Sequence, residues 1–299
     1  MTKAVLAAAL LVVLTCSACG ERRKPELLVV PGHPGHLIEI NGYRLYFECL
    51  GAGKPTVILE AGYGGDHQSW DAVEPELART TRVCSYDRAG LGLSAAEIPR
   101  RRGPFDQEDD LDDLLDGAGI DPPYVIVGHS YGGILAWLFA RRHRDNVAGV
   151  VLLDSAHPKQ VERFRAVLPP GLSAAPSKVS PENVVFARAA RDAGELGSIG
   201  DTRLVVITAG QEDLGGAPAR LAERLRRVWR SLQDDYARRS SDSIHVLARY
   251  SGHFIQSNLG QPDLVVRAIR EVVAAARANR PLRACRPLFR PPPALCLSG

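Results

Sequence analysis

Residues 128–133 read Gly-His-Ser-Tyr-Gly-Gly, directly after the apolar run Tyr124-Val125-Ile126-Val127 and directly before a second apolar stretch. A serine between two such glycines, where a strand turns sharply into a helix, presents its hydroxyl as a nucleophile. The glycines have a physical reason, since a Cβ at Gly128 or Gly132 would press against the neighbouring strand or helix. Ser130 is therefore the candidate nucleophile, weak until a base removes its proton. The plainer reading of the same residues is a glycine-rich helix start capped by a serine.

Such a serine needs elements to hold it, and the flanking sequence supplies a regular series of them. Short apolar runs at 43–49, 56–60, 81–86, 124–127, 147–153, 204–208 and 244–248 read as strands. Helical stretches at 111–115, 133–142, 219–239 and 263–276 lie between them. Nearly continuous apolar strands alternating with helices indicate a mostly parallel sheet covered on both faces, the α/β class. Residues 155–201 break the alternation with Pro, Ser, Ala and Arg. A segment of that length between two strands is expected to form a small helical lid. Its Phe164, Val167, Leu168, Leu172 and Phe186 either line a pocket for an apolar group or form the lid's own core.

Four stretches in order resemble the α/β-hydrolase family over nearly all of residues 37–277. They are Gly128 to Gly133; Tyr86-Asp87-Arg88-Ala89-Gly90-Leu91-Gly92-Leu93-Ser94; Ala61-Gly62-Tyr63-Gly64-Gly65, with Ala61 where the family usually has His; and Ser251-Gly252-His253-Phe254. The resemblance implies Ser130 as nucleophile, His253 as its base and then acid, and an oxyanion hole from the backbone N–H groups of Tyr63 and Tyr131. His129 adjoins Ser130 but is expected to point away on an alternating backbone. For the triad acid two positions are open. Asp154 ends the run Val150-Val151-Leu152-Leu153, 24 residues past the nucleophile, a site used by some members including certain haloalkane dehalogenases. Asp213, in Gly210-Gln211-Glu212-Asp213, stands at the family's usual site. Asp154 is taken as the acid with Asp213 as the alternative; either could instead be a strand-end carboxylate capping a helix.

These residues imply a serine hydrolase that cleaves a small ester, thioester or related acyl substrate through an acyl-enzyme, with neither metal nor other cofactor. The lid would set selectivity and the triad rate. A lyase or acyltransferase on the same triad, or a ligand-binding protein that keeps the hydrolase shell, are the rival expectations.

The 299 residues are 45% hydrophobic and 24% charged, with a formal net charge of +3. That balance is globular and leaves no basic excess for a nucleic-acid partner. Met1 and Lys3 precede an apolar run of 11 residues, 4–14, short of the about 20 that span a membrane but matching a secretory leader. The small residues and cysteines after it resemble the lipobox of bacterial lipoproteins, with Cys19, or alternatively Cys16, as the lipidated residue. The chain is accordingly expected to be exported to the cell envelope, lipid-anchored or secreted, and to touch membrane only through that anchor. The expected organisation is a leader at 1–19, a tether at 20–36, the hydrolase domain at 37–278 with its lid, and a Pro-rich tail at 279–299. Cys49 and Cys84, inside strand-like runs, read as buried thiols, and a local Cys285–Cys296 bridge is open.

Overall fold

Runs of Val, Ile and Leu that must lose water on both faces become the centre of the sheet. The computed structural model describes residues 27–94, 101–176, 178–211 and 216–299. Its strands are β1 (Leu27–Val29), β2 (His36–Ile40), β3 (Tyr43–Leu50), β4 (Thr56–Glu60), β5 (Val83–Tyr86), β6 (Tyr124–His129), β7 (Val147–Leu153), β8 (Arg203–Ala209), β9 (Ser243–Ala248) and β10 (Ala294–Ser298). They form one sheet in the order β1-β2-β3-β5-β4-β6-β7-β8-β9-β10. Strands β5, β4, β6, β7, β8 and β9 run parallel, and the strands added at each margin are antiparallel.

The helices are α1 (Glu74–Ala78), α2 (Pro104–Gly117), α3 (Tyr131–Arg142), α4 (Gln160–Arg165), α5 (Phe186–Asp192), α6 (Ala219–Ala237), α7 (Pro262–Arg277) and α8 (Cys285–Leu288). Alternate residues of each strand divide between the faces, as the pleat requires. Val57, Leu59, Val125, Val127, Val151 and Leu153 pack with Leu77 of α1 and Val265, Ile269 and Val272 of α7. Ile58, Ile126, Val150 and Leu152 pack on the other face with Leu111 and Leu114 of α2, Trp137 of α3 and Tyr236 of α6. The expected α/β fold with helices on both faces is what the chain adopts.

The lid carries α4 and α5, and it is seated rather than loose. Ala156, Val184, Phe186, Ala189 and Ala190 bury against Tyr131, Ile134, Leu135 and Leu138 of α3. Phe186 thus belongs to the lid's core, whereas Leu172 is exposed.

Three expectations need correction. Residues 279–299 are not a tail outside the domain: they form α8 and β10, and β10 pairs with β9 along Ala294↔Ala248 and Cys296↔Val246. The prolines end at Pro293, just before the strand, so they remove no ladder donor. The tether likewise gives way at Leu27 to β1, which pairs with β2. Cys49 and Cys84 are not thiols but a disulfide, because the β3–β5 register sets them directly opposite. Cys285 and Cys296 form a second bridge. Among the described residues no helix is long and apolar enough to cross a membrane. Cys16 and Cys19 lie outside the described residues.

Candidate active site

Strand β6 ends in the turn that carries Ser130, and α3 begins at the next residue. Ser130 sits at φ 52°, ψ −121°, a left-handed backbone that an L residue holds only when its surroundings impose it. The turn is fixed from several sides. Ser130 N–H donates to the Leu153 carbonyl at the end of β7 (3.0 Å), and its carbonyl accepts from Gly133 (2.9 Å) and Ala156 (2.8 Å). Close packing explains the glycines: a Cβ on Gly128 would lie 2.5 Å from the Gly132 carbonyl oxygen, and one on Gly132 would overlap the carbonyls of Glu60 and Ala61.

The loop after β4 comes alongside. A Cβ at Gly62 would stand 3.3 Å from the Ser130 Cβ, so this loop reaches the nucleophile only as bare backbone. Tyr63 follows, its ring edge-on to Tyr131 at 5.9 Å and to Phe186 at 5.6 Å. Its hydroxyl contacts the carbonyls of Val184 (2.7 Å) and Lys178 (2.9 Å) and accepts from the Ser180 N–H (3.0 Å). Tyr131 opens α3, where a backbone N–H has no carbonyl a turn earlier in the helix to bond. Its phenol donates to Gln107 Oε1 at 2.7 Å, and burial holds that phenol well above its usual pKa.

Asp154 and His253 meet at 2.7 Å, Oδ2 to Nδ1. Asp154 follows β7 at φ 41° and is 2% exposed. Its other oxygen accepts from the Ala209 N–H (3.0 Å) and from Trp229 Nε1 (2.7 Å). A buried carboxylate with three donors is satisfied as an anion, and an anion on Nδ1 directs Nε2 of His253 outward as the basic nitrogen. The His253 side chain is 42% exposed and the next residue, Phe254, 63%, so this side of the site opens to solvent.

His129 departs from expectation. Its ring does not turn away but packs against His253, with centroids 4.7 Å apart, and its Nε2–H donates to the His253 carbonyl at 2.9 Å. Burial, with His253 beside it, pushes the His129 imidazole down to about 3, so it is a neutral support for the histidine loop. Trp229 carries no local signal in the sequence, because it reaches Asp154 by a long-range contact from α6. Asp213, the alternative acid, lies outside the described residues. Among the described residues no group of three or more His, Cys, Asp or Glu could hold a metal ion.

The sheet order, the elbow after β6 and the loop after β4 coincide with one sequence profile, that of the alpha/beta hydrolase fold, which matches residues 55–183. The chain has the alpha/beta hydrolase fold. The uncharacterized protein YqjL of Bacillus subtilis (strain 168) is 28% identical over 76% of this chain and 86% of YqjL. Epoxide hydrolase 3 of Xenopus tropicalis is 33% identical over 45% of this chain and 38% of its own. Among solved structures, a thermophilic esterase from Thermogutta terrifontis superposes with a TM-score of 0.58 at 24% identity, covering 85% of this chain and 99% of the esterase. Apart from YqjL, the curated relatives compared are spanned over 18 to 41% of their length.

Proposed function

We propose that this chain is an exported serine hydrolase that transfers the acyl group of a small ester, thioester or related substrate to water. The observation that carries the reading is the 2.7 Å Asp154–His253 pair on a sheet whose elbow holds a serine at φ 52°. In the proposed cycle His253 Nε2 takes the Ser130 proton as Oγ attacks the acyl carbon. The Tyr63 and Tyr131 N–H groups receive the oxyanion. His253 then returns the proton to the leaving alcohol or thiol as the acyl–heteroatom bond breaks, which leaves an acyl ester on Ser130. A water activated by His253 attacks that ester, the acid departs and Ser130 regains its proton.

The serine itself separates this reading from epoxide or alkyl-halide hydrolysis. Serine attack on an alkyl carbon would leave an ether, which water does not cleave under such catalysis, whereas attack on an acyl carbon leaves a hydrolysable ester. Two disulfides support an oxidising compartment and hence export. The acyl moiety is proposed to be small and apolar, since Phe186 fills lid space beside Tyr63 and Tyr131.

A fluorophosphonate probe tests the reading on the whole protein. One adduct on the peptide containing Ser130, abolished in Ser130→Ala, is the expected result. A folded protein that neither labels nor hydrolyses p-nitrophenyl acetate would instead be a binder on this fold.

A further inference from the structure

Behind the loop that carries Tyr63 lies a buried ion cluster that the proposed cycle does not use. Arg88, just after β5, is 3% exposed, and Glu60 and Glu182 are wholly buried. Arg88 Nη1 donates to Glu60 Oε1 (2.6 Å) and to the Ala61 carbonyl (2.7 Å). Its Nη2 donates to the Gly62 carbonyl at 2.6 Å, and its Nε donates to Glu182 Oε2 at 2.6 Å. Glu182 belongs to the lid, yet it also accepts from the Gly64 N–H (3.0 Å) and from Gln107 Nε2 (2.6 Å). Gln107 in turn accepts the phenol of Tyr131. Glu182 thus joins both residues whose N–H groups are assigned to the oxyanion.

The peptide plane supplies the direction. A trans peptide points its C=O and its N–H opposite ways. The Gly62 carbonyl and the Tyr63 N–H belong to one such plane, so a guanidinium that holds the carbonyl on one side fixes the N–H on the other. A Cβ on Gly62 would stand 3.3 Å from the Ser130 Cβ, so this peptide passes beside the nucleophile. Arg88 needs all of its donors to hold two consecutive carbonyls and two carboxylates at once, and a planar fork does this where an ammonium would not.

We infer that Arg88 is a positioning residue that aims the Tyr63 N–H, and that Glu182 is the lid carboxylate that holds Arg88 in place. Docking of the lid then completes the oxyanion hole, and the lid acts on rate as well as on selectivity. This rests on the acyl-transfer reading above.

The test compares wild type with Glu182→Gln and with Tyr63→Phe, which cuts the second tie between loop and lid at the phenol. Three quantities are read: kcat and KM on p-nitrophenyl acetate, the inhibition constant of phenylboronic acid, and the melting temperature. Phenylboronic acid bonds its boron to the serine oxygen and becomes tetrahedral, so its affinity reports the oxyanion hole. Misaiming one donor removes up to the factor of about 10² to 10³ that loss of a donor costs. Glu182→Gln is expected to lower kcat and boronate affinity each about 10²-fold with KM within about threefold, and Tyr63→Phe to lower both about tenfold. A purely structural salt bridge would lower the melting temperature and leave kcat and boronate affinity of the folded protein alone. That result in either variant overturns the inference, and Tyr63→Phe decides it if Glu182→Gln does not fold. Failure of the acyl-transfer reading looks different: wild type itself would be inert to substrate, boronate and fluorophosphonate, and the inference would fall with it.

Discussion

Asp154 carries its charge in near-complete burial because three donors meet it, and each donor has a separate consequence. With His253 on Oδ2, an amide in place of the carboxylate would favour the wrong imidazole tautomer; Asp154→Asn is expected to cut kcat about 10⁴-fold in a folded protein. A near-normal Asp154→Asn with a collapsed Asp213→Asn would move the acid role to Asp213. Trp229→Phe keeps an aromatic side chain, smaller than the indole, and strips the donor from Oδ1; loss of a hydrogen bond to a charged group should by itself cost about 2 kcal/mol in a urea titration. His129 gives a pH signature. Its folded imidazole stays unprotonated down to about 3, against 6.5 for a free one. Below 6.5 the unfolded chain binds the extra proton, so the stability His129 contributes is complete above that pH and drains away toward 3. Between pH 7 and pH 4 the loss is about 3 kcal/mol, and His129→Gln, which keeps a donor toward the His253 carbonyl, should flatten that part of the slope in denaturation curves. His157, pushed down to about 4 by burial, adds a slope of the same sign that remains in the variant. Ser130 and His253 were legible as candidates because each sits in a short local pattern with a chemical reason. Asp154, Tyr63 and Tyr131 came through the family resemblance of those patterns, whereas the roles of Trp229, Arg88 and Glu182 were not legible, since they act through partners far along the chain that no window of sequence contains.

At the scale of elements, the central strands were readable because burial on both faces forces a continuous apolar run, and β4 and β7 fall where those runs lie. Edge elements carry a weaker signal. β1 and β10 are short and partly exposed, and the residues before β10 are prolines, so composition suggested chain outside the fold. The elbow joins the two levels. Gly132 passes against the backbone carbonyls of Glu60 and Ala61, and backbone cannot swing aside as a side chain would. Gly132→Ala should therefore push β4 and the Tyr63 loop away from α3, at an overpacking cost of about 1–3 kcal/mol. Activity on p-nitrophenyl acetate is expected to fall by more than the melting temperature implies, because the displaced loop is the one beside Ser130. Full activity in a folded Gly132→Ala would show that this contact relaxes without reaching the site.

The whole molecule is closed at its two margins by different means. One margin is the β1–β2–β3 antiparallel addition, tied to the parallel centre by Cys49–Cys84; the other is β10 on β9, tied back to α8 by Cys285–Cys296. Cross-links stabilise mainly by restricting the unfolded chain, and the loops they close span sequence separations of 35 and 11 residues. Loop-closure entropy then assigns about 4 kcal/mol to the first and about 3 kcal/mol to the second. Reduction should shift the urea midpoint of the intact protein down accordingly, with Cys49→Ala/Cys84→Ala reproducing the larger part and Cys285→Ser/Cys296→Ser the smaller. The same bridges make compartment measurable. Protein recovered from its native cells and denatured without reductant should take up no iodoacetamide at these four cysteines, and four labels after reduction. Four labels before reduction would mean that the chain folds and works with free thiols, and the argument from disulfides to export would fail with it.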